Sequence, residues 1–159
     1  MFVALEGPCK KIGIISDTHC LFRPEIRKLF DGVDHILHAG DIGRPPVLHE
    51  LQAIAPVTAV LGNVDIPKWF PDCAKEVVVE AGNHRIIMLH NIDDLNLDPK
   101  AADIDIVIFG HSHKPYAKCK KGVWYINPGS AGPHRFMTSA TVATLTFEDD
   151  ISIKHHTIR

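Results

Sequence analysis

Two side chains with metal-binding chemistry, Asp17 and His19, stand two positions apart directly after a short apolar segment. Residues 12–15 contain three isoleucines and one glycine, a pattern that predicts a buried β-strand. In open α/β sheets, ligands bind beyond the carboxyl ends of the strands. The carboxylate of Asp17 and the imidazole of His19 can both coordinate a divalent metal. Because an Asp-x-His sequence is short and common, its significance depends on whether later strands end in the same way.

The same arrangement recurs along the chain, since several later apolar segments also end in oxygen or nitrogen ligands. The polar residues at these strand ends are Asp17, His19, Asp41, Asn63, His90, His111 and His113. Seven such ligands without a thiolate are too many for one tetrahedral site, but they suit two metal ions that share a carboxylate. Paired ions about 3.5–4 Å apart cleave phosphate esters by stabilising both the attacking and the departing oxygen. This set of ligands therefore indicates hydrolysis of a phosphate ester.

The first half of the chain alternates between strands and helices that would position these residues. Apolar segments at 33–38 and 57–61 predict two more strands, and helical spacing predicts one helix near residues 24–30 and another from Pro45 to before Pro56. This β-α-β-α-β order calls for parallel strands with right-handed crossovers.

From Lys75 onward the pattern changes to β-hairpins. The predicted pairs are 76–80 with 84–89, 116–118 with 123–126, and 141–147 with 151–157, with a short helical piece at 99–102 and a buried strand at 104–109. We therefore expect an α/β fold in which two mixed β-sheets pack as a sandwich flanked by helices, in a single domain covering residues 1–159. All the ligand-bearing turns would lie at one edge of that sandwich. The apolar, irregular segment 66–71 would either form one wall of a cleft or cover the core.

Composition excludes several classes of protein. The 159 residues are 45% hydrophobic and 23% charged, as in globular domains, and the net charge of −2 does not indicate nucleic-acid binding. The apolar residues 1–5 are too few for a signal peptide or a membrane span. The four cysteines lack C-x-x-C spacing and are expected to be reduced thiols, with Cys20 a small buried side chain. We therefore expect a cytoplasmic protein without a membrane partner.

The ordered motifs resemble those of the calcineurin-like metallophosphoesterases. They are D-x-H from Asp17, G-D from Gly40, G-N-x-D from Gly62, the single His90 and G-H-x-H from Gly110. Each motif alone is weak, but five in order between residues 11 and 130 make the resemblance specific. The short chain and the Asn-Pro-Gly-Ser sequence at 127–130 are most similar to small bacterial and archaeal phosphodiesterases of the YfcE type. The family fold is a β-sandwich flanked by helices, which agrees with the architecture expected above.

The resemblance also implies a role for each ligand. One metal would be held by Asp17, His19, Asp41 and His113, and the other by Asp41, Asn63, His90 and His111, so that Asp41 would be the bridge. A hydroxide between the metals would be the nucleophile, and no side chain is assigned that role. Manganese is the expected ion, with nickel, zinc and iron as alternatives. The expected substrate is a small phosphoester, for which Asn63 and Arg135 are candidate contacts, and formation of a homo-oligomer is left open.

Two positions depart from the family pattern. Many members have a histidine after the asparagine of G-N-x-D that is thought to protonate the leaving oxygen, whereas this chain has Val64. No general acid is therefore assigned. Many members also follow the histidine of the fourth motif with glycine, whereas here Asn91 follows His90, which should change only local backbone freedom.

Other functions remain to be compared with a phosphodiesterase. The small subunit of the retromer coat resembles this fold and acts as a binding scaffold with an incomplete ligand set, whereas none of the seven positions is replaced here. A protein Ser/Thr phosphatase usually needs a longer chain. A nuclease is less favoured because neither a capping domain nor a basic groove is evident.

The remaining histidines are assigned mainly structural positions. His38 is expected to support the metal shell or the core. The others expected at the surface are His35, His49, His84, His155 and His156. His134 and Arg135 follow the glycine-rich turn and could contact phosphate, although we slightly prefer a structural role for both and for Arg44.

Overall fold

The computed structural model describes residues 1–134 and 138–159 and contains eleven β-strands in those ranges. In chain order they are β1 (Phe2–Ala4), β2 (Lys11–Ile15), β3 (His35–His38), β4 (Val57–Ala59), β5 (Glu76–Ala81), β6 (His84–Leu89), β7 (Ile106–Ile108), β8 (Tyr116–Lys120), β9 (Val123–Asn127), β10 (Thr141–Phe147) and β11 (Ile151–Thr157). The α-helices are α1 (Ile26–Leu29) and α2 (Pro45–Gln52), and short 3₁₀ turns occupy Pro67–Trp69 and Ile92–Asp94.

The strands form two mixed sheets. One has the order β1-β5-β6-β7-β9-β8 and the other the order β11-β10-β2-β3-β4. In the second sheet, β2, β3 and β4 are parallel neighbours, and β10 runs antiparallel to β2. In the first sheet, β6, β7 and β9 are parallel neighbours. The carboxyl ends of these parallel strands carry the turns in which the predicted ligands lie.

The alternating side chains of β2 explain how the layers assemble. Ile12 and Ile14 are fully buried in the core between the two sheets, whereas Ile15 belongs to the apolar cluster that includes α1 and α2 side chains. Gly13 lies on that second face, where a Cβ would come within 3.0 Å of the Phe30 ring. A strand buried on both faces is necessarily apolar throughout, which is why residues 12–15 form a continuous hydrophobic segment.

The predicted fold class is confirmed, and so are the three hairpins, which pair β5 with β6, β8 with β9 and β10 with β11. Both α-helices contribute side chains to the cluster on the outer face of the five-stranded sheet. The outer face of the six-stranded sheet is covered by Ile92, Leu95 and Ala102 from the connecting segment. Both α-helices are far shorter than the roughly 20 apolar residues of a membrane-spanning helix, and no helix in the described ranges meets that requirement.

Two helical predictions and one omission are corrected. The first helix is confined to Ile26–Leu29, since the residues before it form tighter turns, such as Arg27 N–H to the Pro24 carbonyl. The predicted helical piece at 99–102 is a turn, because Asp103 adopts a left-handed conformation with φ of 63°. Strand β1 was not predicted, because three residues are too few for a periodic signal. It forms by pairing in parallel with β5.

Segment 66–71 combines both of its predicted roles. Phe70 is 3% exposed within the apolar core, whereas Ile66 and Trp69 are 41% and 39% exposed. The segment therefore covers the core with Phe70, and with Trp69 it forms one wall of a groove beside Pro45 and Leu48 of α2.

Candidate metal centre

Backbone hydrogen bonds join the strand-end turns to one another. Asp17 N–H donates to the Gly40 carbonyl and His19 N–H to the Asp41 carbonyl, both at 3.0 Å, so the turns after β2 and β3 are held side by side. Gly110 N–H donates to the His90 carbonyl at 2.9 Å and joins the turns after β6 and β7 in the same way. Predicted ligands that are far apart in sequence therefore meet at one edge of the sandwich.

Left-handed backbone conformations are concentrated at this edge. Eight non-glycine residues in the described ranges have positive φ, and five of them are predicted ligands, namely Asp17, His19, Asp41, His111 and His113. Such conformations cost about 1–3 kcal/mol each and persist where the surrounding structure enforces them, often at functional sites. Their concentration here identifies the edge as a site that the fold maintains at a cost in stability.

Two motif glycines are needed for close approach to the carboxylates. A Cβ on Gly62 would lie 2.2 Å from Oδ1 of Asp41, and a Cβ on Gly110 would lie 2.0 Å from Oγ of Ser16 and 2.8 Å from Oδ2 of Asp17. Any larger residue would displace a predicted ligand. The glycine in G-N-x-D and the glycine in G-H-x-H are therefore required for the same steric reason.

Two groups of ligand atoms assemble around Asp17. In the first, Oδ1 of Asp17 lies 3.2 Å from Nε2 of His113 and 3.9 Å from Nε2 of His19. In the second, Nε2 of His90 lies 3.8 Å from the same Asp17 oxygen and 3.2 Å from Oδ2 of Asp41. Oδ2 of Asp41 also lies 3.6 Å from Nε2 of His19, so both carboxylates approach histidines of both groups.

Each carboxylate has one oxygen engaged by the protein and one facing the histidines. Oδ2 of Asp17 accepts from Ser16 Oγ at 2.8 Å and from His111 N–H at 3.1 Å, and Oδ1 of Asp41 accepts from Val64 N–H at 3.1 Å. The buried atoms Asp17 Oδ1, His19 Nε2 and His90 Nε2 have no hydrogen-bond partner. Leaving buried polar atoms unsatisfied is costly, and a divalent cation is a partner that satisfies carboxylate oxygen and imidazole nitrogen together. The donor set therefore fits a divalent metal.

The protonation of His90 prepares it to coordinate through Nε2. Its Nδ1 lies 2.7 Å from the Ala39 carbonyl, and because a carbonyl can only accept, Nδ1 carries the proton. In neutral His90 the lone pair is then on Nε2, which faces Asp17 and Asp41. An imidazole whose other nitrogen is held by a carbonyl is a common arrangement in metal sites.

The charges at the site shift the pKa values of three groups. Burial raises the pKa of Asp17 and outweighs the hydrogen bond from Ser16 and the charges of His90 and His113. Burial also acts to raise the pKa of Asp41, but interactions with His90 and with Val64 N–H lower it to about 2. Burial lowers the pKa of His90, whereas Asp41, the Ala39 carbonyl and Asp17 raise it by more, so the net shift is upward. The two carboxylates therefore favour positive charge beside them, as a divalent cation bound there would also require.

His38 lies beneath the centre as a buried, neutral imidazole. Gly40 N–H donates to Nδ1 at 3.1 Å, so the proton is on Nε2, which donates to Thr18 Oγ1 at 3.0 Å. The Thr18 hydroxyl in turn donates to the Ile42 carbonyl. This chain of contacts joins the turns that carry Asp17 and Asp41 and agrees with the supporting role predicted for His38.

We expect His38 to make the free energy of unfolding decrease as the pH falls below 6.5. Burial lowers its pKa from 6.5 to about 3 in the folded protein, so between these values the unfolded chain binds a proton that the folded protein does not. Stability therefore rises with pH across this range, by on the order of a few kcal/mol. The free energy of unfolding would be measured by urea titration at several pH values for metal-free wild type and for His38→Gln. It should change less with pH in the variant than in wild type. The same pH dependence in both proteins would contradict the neutral state assigned to His38.

Two other predicted ligands lie outside both groups. His111 is exposed, and its ring centroid lies 5.2 Å from that of His90. Asn63 is exposed and lines a groove of about 450 Å³ together with His90. Arg135 lies outside the described residues. The prediction that it contacts substrate remains untested.

Several surface predictions require correction. Cys20 is exposed rather than buried, and its sulfur lies against Gly43, where a Cβ would come within 2.5 Å of it. Of the five histidines predicted at the surface, His49 is exposed, but the other four are half-buried. His35, His155 and His156 are drawn into the structure by hydrogen bonds to Thr58 Oγ1, the Asn127 carbonyl and Thr144 Oγ1, respectively.

Two residues that support the turns were not predicted as such. Asp65, 8% exposed, accepts from Gly43 N–H at 2.9 Å and from Gly62 N–H at 2.8 Å, and so joins the turns after β3 and β4. Asn127 donates to the Gly110 carbonyl at 3.0 Å and to Ser112 Oγ at 3.1 Å, which holds the G-H-x-H turn. Both residues belong to motifs visible in the sequence. A short polar side chain beside a glycine-rich turn was the signal that could have predicted these supporting roles.

The relationship of the chain to known proteins agrees with this geometry. The sequence profile of the calcineurin-like phosphoesterase superfamily domain matches residues 11–150. The chain belongs to the calcineurin-like phosphoesterase superfamily. A probable metallophosphoesterase of Methanothermobacter thermautotrophicus is 31% identical over 151 residues, which cover 87% of each chain. The family implies binding of divalent metal, and the two groups around Asp17 are the candidate ligands for it.

Solved structures of other proteins share the phosphoesterase fold. A novel archaeal phosphodiesterase is 25% identical and superposes with a TM-score of 0.78, covering 93% of this chain and 99% of its own. Vps29 of Entamoeba histolytica complexed with Zn²⁺ is 22% identical, with a TM-score of 0.73 and coverage of 93% and 98%. The first likeness connects the chain with phosphodiesterases, and the second concerns the fold alone.

Proposed function

We propose that this phosphoesterase hydrolyses phosphodiesters with two divalent metal ions held by the seven residues at the strand ends. The observation that carries the proposal is the set of three buried ligand atoms, on Asp17, His19 and His90, that have no hydrogen-bond partner. Two cations placed among these atoms and Asp41 would satisfy all three. The likeness to an archaeal phosphodiesterase supports a diester as the substrate.

Within this proposal each ion has its own ligands and one carboxylate is shared. Asp17, His19, Asp41 and His113 would hold one ion, and Asp41, Asn63, His90 and His111 would hold the other. Manganese is the ion we expect, because mixed carboxylate, amide and imidazole ligands suit borderline metals. When bound, such ions supply positive charge to the phosphate and make hydroxide available at neutral pH.

The protein itself contributes the orientation of the ligands. Ser16 and the His111 N–H hold one oxygen of Asp17, the Val64 N–H holds one oxygen of Asp41, and the Ala39 carbonyl holds Nδ1 of His90. Ligands fixed in this way need little reorganisation on metal binding.

The groove beside Asn63 and His90 is the proposed path for the substrate. Its volume is about 450 Å³, and its charged lining residues are Lys75, Glu76 and Asp94, so cations at the centre would have to supply the attraction for the phosphate. We retain in this proposal the predicted contact between Asn63 and the substrate. We also retain the prediction that the substrate is a small phosphoester.

An assay across substrate classes tests the proposal. Aryl monoesters, aryl diesters and cyclic nucleotides would each be offered to purified protein with Mn²⁺, Ni²⁺, Zn²⁺ or Mg²⁺. We expect the highest kcat/KM for a diester with Mn²⁺. A marked preference for monoesters would contradict the diester assignment, and absence of turnover with every substrate and metal would contradict the activity itself.

Val64 predicts that the hydrolysis rate depends steeply on the leaving group. The side chain is 51% exposed and cannot donate a proton, so a departing oxygen near it must leave as an anion. General acid catalysis contributes about 10²–10⁴-fold and matters most for basic alcohols. Aryl diesters should therefore be cleaved far faster than alkyl diesters, which a plot of log kcat/KM against leaving-group pKa would measure.

Val64→His provides the matched comparison for the leaving-group prediction. The variant should gain on alkyl relative to aryl diesters. We expect the gain to be roughly tenfold at most, because both oxygens of Asp65, the residue that could orient the new imidazole, already accept from backbone N–H groups. A wild-type rate that is insensitive to leaving-group pKa, with chemistry rate-limiting, would mean that another residue supplies the proton.

A binding scaffold is the second candidate function, and the likeness to Vps29 is the observation that favours it. A scaffold would have no need of turnover, although it could retain metal. The substrate assay therefore separates the two candidates.

A further inference from the structure

Exposed apolar side chains are concentrated in one segment beside the candidate metal centre. Val64, Ile66 and Trp69 are 51%, 41% and 39% exposed, and they are three of the six large hydrophobic residues exposed in the described ranges. We infer that these three residues, here called the apolar shelf, bind an apolar or aromatic ester group of the substrate. This inference rests on the proposed phosphodiesterase function.

The apolar shelf is attached directly to the metal centre. Val64 N–H donates to Oδ1 of Asp41, the carboxylate whose other oxygen faces His19 and His90. The next residue, Asp65, is buried and accepts from Gly62 N–H and from Gly43 N–H. The first residue of the apolar shelf is therefore held against the turn that carries Asp41, where it can contact a group attached to the bound phosphate.

The far end of the apolar shelf is also held in place. Phe70 is 3% exposed in the core and anchors the chain next to Trp69. Arg44, three residues after Asp41, places its guanidinium 6.0 Å from the centroid of the Trp69 ring. Because Arg44 is exposed, it adds a positive charge beside the apolar shelf that would attract a monoanionic diester. An apolar surface with an adjacent cation suits a ligand that is apolar at one end and anionic at the other.

The groove on the other side of Asn63 is mixed in character. Besides Asn63, its lining includes charged, polar and apolar side chains, namely Lys75, Glu76, Asn91, Asp94, Leu61 and Leu89. A diester bound at the centre would thus place one ester group in this mixed groove and the other on the apolar surface that begins at Val64. The substrate class we infer is a diester with at least one apolar or aromatic alcohol.

Binding of phosphinates tests the apolar shelf without any turnover. Diphenylphosphinate and dimethylphosphinate are both monoanions with two P–C bonds, so they mimic the two kinds of diester but have no ester to hydrolyse. Titration calorimetry with Mn²⁺-loaded protein should give about tenfold tighter binding of diphenylphosphinate, as expected when roughly half of a phenyl ring is buried. A Trp124→Phe variant, which retains Trp69 as its single tryptophan, should also show a fluorescence change with diphenylphosphinate.

Trp69→Ala is the informative variant and Leu97→Ala its control. Trp69→Ala should reduce the preference for diphenylphosphinate to less than about threefold. Leu97 is 39% exposed, as Trp69 is, and it lines neither the groove beside Asn63 nor the groove that Trp69 lines, so Leu97→Ala should leave the preference unchanged. Thermal unfolding would verify that both variants fold. Equal affinity of wild type for the two phosphinates, or a preference that survives in Trp69→Ala, would overturn the inference.

Light scattering and the hydrolysis assay distinguish a substrate-binding shelf from a dimer interface. If Trp69→Ala converts a dimer to a monomer while the phosphinate preference persists, the apolar shelf is an interface between copies of this chain and the inference is wrong. If diesters are hydrolysed but the preference is absent, the inference alone fails. If the preference is present but no ester is hydrolysed, the apolar shelf stands as a ligand site and the proposed function fails.

Discussion

Removal of divalent metal should abolish diester hydrolysis by this phosphoesterase, and Mn²⁺ should restore it. The buried atoms Asp17 Oδ1, His19 Nε2 and His90 Nε2 have no hydrogen-bond partner, and divalent ions bound among them would supply the positive charge that a phosphate requires. The measurement is the rate for an aryl diester after dialysis against a chelator, followed by titration with each metal. Mg²⁺ should restore less activity than Mn²⁺, because it disfavours nitrogen ligands and retains its water.

Stability measurements provide the control for chelation. Metal binding to the folded state should raise the unfolding temperature in proportion to the logarithm of metal concentration. If chelation lowers both the activity and the unfolding temperature, and added metal restores both, the loss of activity results from removal of metal from the folded protein. Full activity in protein that contains no metal by elemental analysis would contradict the mechanism.

Asp41→Asn should lower kcat/KM by about 10³-fold or more, and by far more than His38→Ala. A shared carboxylate contributes charge to both ions, and the loss of several kcal/mol of transition-state stabilisation corresponds to a change of this size. His38 contacts Thr18 and Gly40 rather than the ligand atoms, so its loss should cost about 10–100-fold, as is usual for supporting residues. Initial rates at saturating Mn²⁺ and elemental analysis would be measured for both variants.

The metal content of Asp41→Asn tests whether Asp41 is the shared ligand, a position that the distances also allow for Asp17. Oδ1 of Asp17 lies within 3.9 Å of three histidines, whereas Oδ2 of Asp41 lies within 3.6 Å of His19 and His90. If Asp41 is the bridge, Asp41→Asn should lower the metal content from two ions toward one or fewer. Equal activity losses in Asp41→Asn and His38→Ala, with unchanged metal content in both, would contradict the roles assigned to them.

The strands and candidate ligands were predictable because their signals are local. A buried strand such as β2 must be apolar on both faces, and its boundary with Asp17 is visible in the sequence as an abrupt change of polarity. The β5–β6 and β10–β11 hairpins were predictable for the same reason, since the strands of each pair and the turn between them are contiguous in the chain. Residue type and strand position together were sufficient to select the candidate ligands.

Other features depended on contacts between residues far apart in sequence. Strand β1 exists because Phe2 to Ala4 pair with Val78 to Glu80. The free oxygen of Asp17 is Oδ1 because the other oxygen is taken by Ser16 and by His111, which is 94 positions away.

The different environments of Trp69 and Phe70 had no counterpart in the sequence, because both are aromatic residues within one irregular segment. The amino-acid sequence by itself determined which side chains stand at strand ends and therefore the chemistry available to the protein. Only the tertiary structure decided which atoms of Asp17 and His90 lack a hydrogen bond, since in each side chain a residue far away in sequence, His111 or Ala39, hydrogen-bonds to the other oxygen or nitrogen.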